Sequence, residues 1–209
     1  MPDDVAPSMV NDKAALRAIL GEPTETVRHK EMPKLDTHCR RFIELSPILF
    51  IGSSGEDGKG DVTPRGDPPG FVHILDDRTL LIPERLGNKR GDTLNNVLIH
   101  PNVGMIFMIP GVDETLRVNG RASIVDDPTL LAPMVLNGKT PKLAIRIDIT
   151  DAFIHCGRAL KRARIWDPKS AIDRKSFASM AQMAHDQRRR DTPVAELEAF
   201  FTEFYATLY

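Results

Sequence analysis

Leu81-Ile-Pro-Glu-Arg-Leu-Gly-Asn-Lys-Arg-Gly-Asp-Thr-Leu-Asn-Asn-Val-Leu-Ile-His-Pro-Asn-Val-Gly-Met-Ile-Phe107 reads as strand, loop, helix and strand in succession. An apolar strand ends at Pro83. A glycine-bearing loop follows with Arg85, Lys89 and Arg90, and a helix is expected from Asp92 to His100, with Leu94, Val97 and Leu98 on one side. Pro101 stops it, and Val103 to Ile109 is a strongly apolar second strand. The three cations and the amide of Asn88 are expected to converge just before the helix N-terminus. Unpaired backbone N–H groups and the positive helix end favour a phosphate there, and arginine adds forked, charge-assisted hydrogen bonds. The alternative reading is a solvated basic loop between two elements.

Outward from this stretch the pattern stays β-rich. Ile48 to Ile51 is a short apolar run ended by the turn-rich segment Gly52 to Gly60. Phe71 to Leu75 and Thr79 to Pro83 flank Asp76-Asp77-Arg78, which is hairpin chemistry. Pro110-Gly111 turns the chain into a strand from Thr115 to Val125, and a short helix from Thr129 to Leu136 stops at Asn137-Gly138. Leu143 to Ile149 alternates, with Leu143, Ile145, Ile147 and Ile149 on one face. Six strands with short helices between them suggest an antiparallel barrel or sandwich rather than a doubly wound fold.

The flanks are helical. Asn11 to Leu20 is expected as an amphipathic helix stopped by Gly21, and residues 21–34 as an extended connector. Asp36 offers an N-cap for a helix bearing Cys39, Phe42 and Ile43, closed by Pro47. Ile172 to Arg190 and Thr192 to Tyr209 are both expected as helices. In the second, Thr192 caps, Pro193 takes the first turn, and Val194, Leu197, Phe201, Phe204, Tyr205 and Leu208 form an apolar face to be buried. The organisation is therefore residues 1–34 as helix and connector, 35–168 as the barrel domain, and 169–209 as a helical extension.

Bulk composition excludes several classes. A chain of 209 residues with 41% hydrophobic and 27% charged residues is an ordinary globular domain that needs no disulfide or metal to fold. A net charge of -1 gives no field to draw nucleic acid or an anionic membrane, so any bound anion must be held by a local cluster. Cys39 and Cys156 are spaced for neither a disulfide framework nor a zinc site and are read as free thiols. No apolar run suits a membrane span and the N-terminus lacks a signal-peptide pattern, so the expected location is cytoplasmic.

Two further segments carry candidate chemistry. In Gly60-Asp-Val-Thr-Pro-Arg-Gly-Asp-Pro-Pro-Gly-Phe71, Pro64 removes a ladder donor. The segment is either an irregular edge strand or a backbone shaped to face a flat heterocycle. In the stretch from His155 to Pro168, the cations Arg158, Lys161, Arg162 and Arg164 precede Trp166, the only tryptophan. They lack the interleaved aromatics of a nucleic-acid platform. His155 and Cys156 are read as a satisfied histidine at the barrel end and a buried thiol rather than a metal pair. Gly52 to Gly60 fails as a P-loop: Gly58-Lys59 comes one residue late, and Gly60 replaces the required Ser/Thr.

Taken in order, these segments resemble the pyridoxamine 5'-phosphate oxidase family. Gly87-Asn88-Lys89-Arg90, then Asn95 and Asn96, then His100-Pro101-Asn102-Val103 is similar to that family's phosphate loop, short helix and Asn-Pro-x-Val entry to a strand. Thr63-Pro64-Arg65-Gly66-Asp67 looks like the Ser/Thr-Pro-Arg-Gly-Asp motif of one branch. The resemblance implies a six-stranded antiparallel split β-barrel with peripheral helices, mainly β with α. It implies a homodimer with FMN at the interface and a small-molecule substrate. Asn88, Lys89 and Arg90 would meet the FMN phosphate, with Asn88 standing where the family often has serine. Val62, Thr63, Pro64, Arg65 and Gly66 would lie along the ring, Arg65 stabilising the reduced flavin or its phosphate. Ile82, Pro83, Asn95 and Trp166 complete the implied cofactor site, with Lys161 and Arg164 near Trp166. The oxidase after which the family is named carries an Arg-x-x-x-x-Lys pattern and a C-terminal Arg-x-His motif. Neither is present, so its substrate is not carried over, and no catalytic residue is assigned beyond Arg65 as an electrostatic stabiliser. The implied activity is an FMN-dependent oxidoreductase. The open alternatives are a non-catalytic FMN carrier or redox sensor, and a deazaflavin-dependent reductase.

Overall fold

Seven antiparallel strands form one sheet in the computed structural model, which describes residues 9–85, 87, 89–188 and 191–207. The strands are β1 (Ile48–Ser54), β2 (Gly60–Gly66), β3 (His73–Ile74), β4 (Thr79–Glu84), β5 (Asn102–Met108), β6 (Thr115–Val125) and β7 (Leu143–His155), in the order β2-β1-β5-β6-β7-β4-β3. One strand more than expected is present because Gly60–Gly66 pairs regularly with β1 along its whole length, from Ser54 opposite Gly60 to Ile48 opposite Gly66. β2 is an edge strand, which is where a proline is tolerated. Asp67 N–H donates to the Pro47 carbonyl at 3.1 Å. Antiparallel alternation from that pair turns the backbone groups of Val62, Pro64 and Gly66 away from β1, toward the open edge. Pro64 therefore sits at a position whose missing N–H costs no ladder bond.

The sheet curls without closing. Leu49 and Ile51 of β1 share one apolar cluster with Leu80 and Ile82 of β4, although these strands lie far apart in the sheet order. No ladder joins β2 to β3 among the described residues. The curl needs a break in the long β6–β7 ladder, and a register shift at Asn119/Gly120 provides it. A Cβ on Gly120 would lie 2.6 Å from the Asp148 carbonyl oxygen, so only glycine fits this crossing. β4 is buried on both faces. Its other side packs Leu81 with Ala144, Leu131 and Met134 of the short helical segment that precedes β7.

The helices follow their caps. The chain divides into two compact units, residues 1–31 and 32–209. The first holds α1 (Lys13–Leu20), where the Asp12 side chain accepts from Ala15 N–H and Gly21 ends the helix at φ 72°. Within the expected connector is a single helical turn, α2 (Glu25–Arg28). In the second unit, Asp36 caps α3 (Thr37–Leu45), accepting from Cys39 N–H at 2.7 Å, and Cys39, Phe42 and Ile43 enter the core. α4 (Asp92–Ile99) buries Thr93 and Val97, while Leu98, expected inward, is exposed. The short helix expected from Thr129 is α5 (Pro128–Leu131), continued as a 3-10 turn over Ala132–Met134.

The C-terminal part departs further from expectation. It contains α6 (Arg158–Ala163), 3-10 turns at Pro168–Ser170 and Arg174–Ser176, α7 (Met180–Gln187) and α8 (Val194–Ala206). α7 begins eight residues later than expected because Ser179, not an earlier residue, supplies the N-cap acceptor. α8 starts after Pro193, with no cap from Thr192. Leu197 is its buried residue, and Phe204 and Tyr205 are about half exposed, so the expected apolar face is only partly covered. Arg189, Arg190 and Leu208 lie outside the described residues. No described helix is long and apolar enough to cross a membrane.

The two cysteines differ. Cys39 is fully buried, and burial, with the Asp36 side chain beside it, pushes its thiol up to about 11. Cys156, expected buried, is exposed, and so is the adjacent His155. A thiol reagent at pH 8 should therefore modify one cysteine rapidly in the folded chain and the second only in denaturant. Two fast equivalents would contradict this packing. Gly120→Ala should lower the unfolding free energy by about 1–3 kcal/mol, the usual cost of an added methyl in a closed site. A urea titration measures it, and an unchanged midpoint would show that the crossing has slack.

Candidate functional site

β2, at one edge of the curled sheet, and β4, next to the strand at the other edge, meet through side chains. Arg65 on β2 and Glu84 at the end of β4 form an ion pair, Nη2 to Oε2, at 3.2 Å. Asp67, just past β2, accepts from Arg85 Nε at 2.6 Å. The Asp67 side chain is only 1% exposed, and Arg85 also donates from Nη1 to the Met134 carbonyl at 2.9 Å. Arg85 thus ties the β2 end, the β4–α4 loop and the segment before β7 to one guanidinium.

α4 is held against the same edge. Thr93 in its first turn lies 3.0 Å from Thr63, hydroxyl to hydroxyl, and Arg65 Nη1 donates to the Thr63 hydroxyl at 2.9 Å. Asn96, in the middle of the helix, donates to Ser53 Oγ of β1 at 2.9 Å. Gly91 precedes α4 at φ 65° and supplies no side-chain cap, so the first-turn N–H groups have no capping acceptor from this position. The positive helix end and these donors suit an anion.

Two cavities flank the loop from residue 85 to residue 91. The first, about 380 Å³, is lined among others by Thr63, Arg65, Asp67, Glu84, Arg90 and Thr93. The second, about 530 Å³, has Lys89, Lys139 and Lys142 with Leu94, Leu136 and Leu143. Glu84, Arg85, Gly87 and Gly91 line both. The loop cations do not converge as expected: Arg85 turns inward to Asp67, Arg90 Nε bonds Asp92 at 2.7 Å beside the first cavity, and Lys89, at φ 61°, lines the second.

Residues 35–156, more than half of the chain, match the family model described as pyridoxamine 5'-phosphate oxidase. The chain belongs to the pyridoxamine 5'-phosphate oxidase family. No curated protein sequence matches it. Among solved structures, HupZ of Group A Streptococcus is similar over 57% of this chain and 93% of its own, at 14% identity and a TM-score of 0.47. General stress protein 26 from Bacillus anthracis covers 55% and 88%, at 16% identity and 0.43. An FMN-binding protein from Syntrophomonas wolfei covers 56% and 88%, at 10% and 0.41.

Within this family member the sequence-derived site residues are distributed unequally. Thr63, Pro64, Arg65, Gly66, Pro83 and Arg90 all line the first cavity. Thr63 and Arg65 point inward from β2, while Val62 is exposed on the opposite face. Ile82 is fully buried in the core. Asn95 donates to the Arg90 carbonyl at 3.4 Å and so bears on the loop rather than on either cavity. Trp166 is half-buried and donates from Nε1 to the Val112 carbonyl at 2.9 Å, clasping the turn between β5 and β6. Lys161 approaches Asp113 of that turn at 3.6 Å, and Arg164 pairs with Asp167. Asn88 lies outside the described residues. Sequence reasoning left out Asp67, Glu84 and Thr93 as site residues, and read Arg85 as a phosphate-loop cation rather than as the partner of Asp67. The place of Asp67 at the end of the Thr-Pro-Arg-Gly-Asp run was the available signal.

His73 on β3 stands near this cluster. Burial, and secondarily the charge of Arg85, hold its pKa below the ordinary 6.5. The folded chain therefore refuses a proton that the unfolded chain accepts. This contribution leaves stability intact above pH 6.5 and lowers it as pH falls below that value, levelling off beneath the folded pKa. The wild-type urea midpoint should fall between pH 7.5 and 5.5 by more than that of His73→Gln. Equal falls would remove His73 as a source of acid sensitivity.

Proposed function

We propose that this chain binds FMN, with the phosphate in the first cavity, and acts as a homodimeric oxidoreductase on a small organic molecule. The observation that carries the reading is the meeting of β2 and the β4–α4 loop on one cavity. It brings Thr63, Arg65, Arg90 and Thr93 to the N-terminus of α4 in a member of this family. Two hydroxyls, guanidinium groups and an uncapped helix start are the donor set a phosphate requires, so the residues present fit the group. Bound FMN would supply the electron transfer.

The chain's own residues would bind and orient it. Arg90 is on the rim, its side chain 70% exposed and bonded to Asp92, and would turn a charged donor toward the phosphate. The open edge of β2 presents the backbone groups of Val62, Pro64 and Gly66 to the polar edge of the ring. Trp166 and the basic segment before it would complete the site from the partner subunit. Asn88 and Lys89 belong to the phosphate loop in this reading, Asn95 of α4 braces that loop through the Arg90 carbonyl, and Ile82 and Pro83 belong to the strand behind it.

The test is the visible absorption of the purified protein with mass identification of what denaturation releases. FMN near one per chain supports the reading. Deazaflavin in its place would redirect it, and a colourless protein that takes up no added FMN would end it. Substrate-driven bleaching and reoxidation separates an enzyme from a carrier. Arg90→Ala should weaken FMN binding by about 1.5–3 kcal/mol, the range for a hydrogen bond to a charged group. Unchanged affinity in a fluorescence titration would place the phosphate elsewhere.

A further inference from the structure

The two ion pairs across the split differ in kind. Arg85–Asp67 is short, its carboxylate is almost wholly buried although Arg85 keeps a fifth of its side chain exposed, and the Met134 carbonyl reinforces it, so it acts as a fixed clasp. Arg65–Glu84 is longer, and each side chain keeps about a fifth to a quarter of its surface exposed. Glu84 Oε2 and Arg65 Nε are both buried atoms that make no hydrogen bond to protein, whereas in the other pair only the second carboxylate oxygen, Asp67 Oδ1, is in that state. The guanidinium is incompletely engaged: Nη1 serves Thr63 and the Pro64 carbonyl, Nη2 approaches Glu84, and Nε has no partner.

Arg65 is also wired to the phosphate end of the cavity through Thr63 and Thr93. A carboxylate and a phosphate seek the same forked donor. A phosphate drawn to this cavity would meet Glu84 as a like charge on the guanidinium it needs. We propose that Glu84 is a built-in competitor for the ligand's phosphate, holding Arg65 until the phosphate displaces it, and that it thereby sets the affinity of the site. This rests on the FMN reading above and names a residue that neither the sequence motifs nor the family match singles out. Glu84 acts through Arg65 and is a positioning residue.

The experiment titrates flavin-stripped protein with FMN and with riboflavin, which lacks the phosphate, following flavin fluorescence. Glu84→Gln keeps the side-chain shape and removes the charge. It should tighten FMN binding about tenfold, leave riboflavin binding unchanged, and lose its gain when combined with Arg65→Ala. Glu84→Asp, which shortens the reach by one methylene, should show a smaller gain in the same direction and serves if the glutamine variant folds poorly. FMN affinity that is equal or weaker in both folded variants would overturn the proposal, as would an equal gain for riboflavin. Wild-type protein that binds neither flavin would instead bring down the FMN reading itself, and the competitor role with it.

Discussion

The pairing of Arg85 with Asp67, with Arg65 and Glu84 beside it, decides where β2 meets β4. β2 and β4 are never ladder neighbours, yet these residues bring them together. A buried ion pair contributes little net stability, because desolvation offsets much of the attraction. The stability comes from the apolar interior of the curl, where each fully buried Leu or Ile contributes about 1.5–3 kcal/mol. The charges fix the geometry of the closure: an unmatched carboxylate or guanidinium in that place would be costly, so other alignments of the two strands are disfavoured.

That geometry creates the site. The β4–α4 loop leaves the sheet at the point where Arg85 turns inward, and a cavity lies on each side of it. The cavity toward β2 gathers hydroxyls, guanidinium groups and the start of α4. The other gathers lysines over leucines. Arg85 lines both and also holds the Met134 carbonyl, so one guanidinium forms part of the wall of each cavity. The family relationship accounts for the barrel. The helical pair α7 and α8 lies beyond the matched residues.

Much of this was legible in the chain itself. Apolar runs bounded by turn residues located most strands, alternation located β7 because one of its faces is buried, and Asp36 announced its helix because a carboxylate is the natural acceptor for first-turn N–H groups. Pro64 was read as a mark of irregularity, but on an edge strand the missing N–H faces outward and the ladder is undisturbed. Local charge and turn chemistry misplaced the tail helices, since several Asp and Ser residues there can cap and only packing chooses among them. Cys156 was read as a buried thiol, but it follows the end of β7, where the core stops.

By itself the sequence determined the order of elements, the apolar faces and the presence of a basic loop ahead of a helix, because each depends on neighbours a few residues apart. It also carried the Thr-Pro-Arg-Gly-Asp run. The tertiary structure alone decided what those charges do. Arg85 reaches an aspartate 18 residues back in the chain, Arg65 reaches a glutamate on a strand far away in the sheet order, and Lys89 faces a different cavity from Arg90. Side-chain direction at the split follows from how tightly the sheet curls, and that curl is set by core packing and by the crossing at Gly120, which no local pattern encodes.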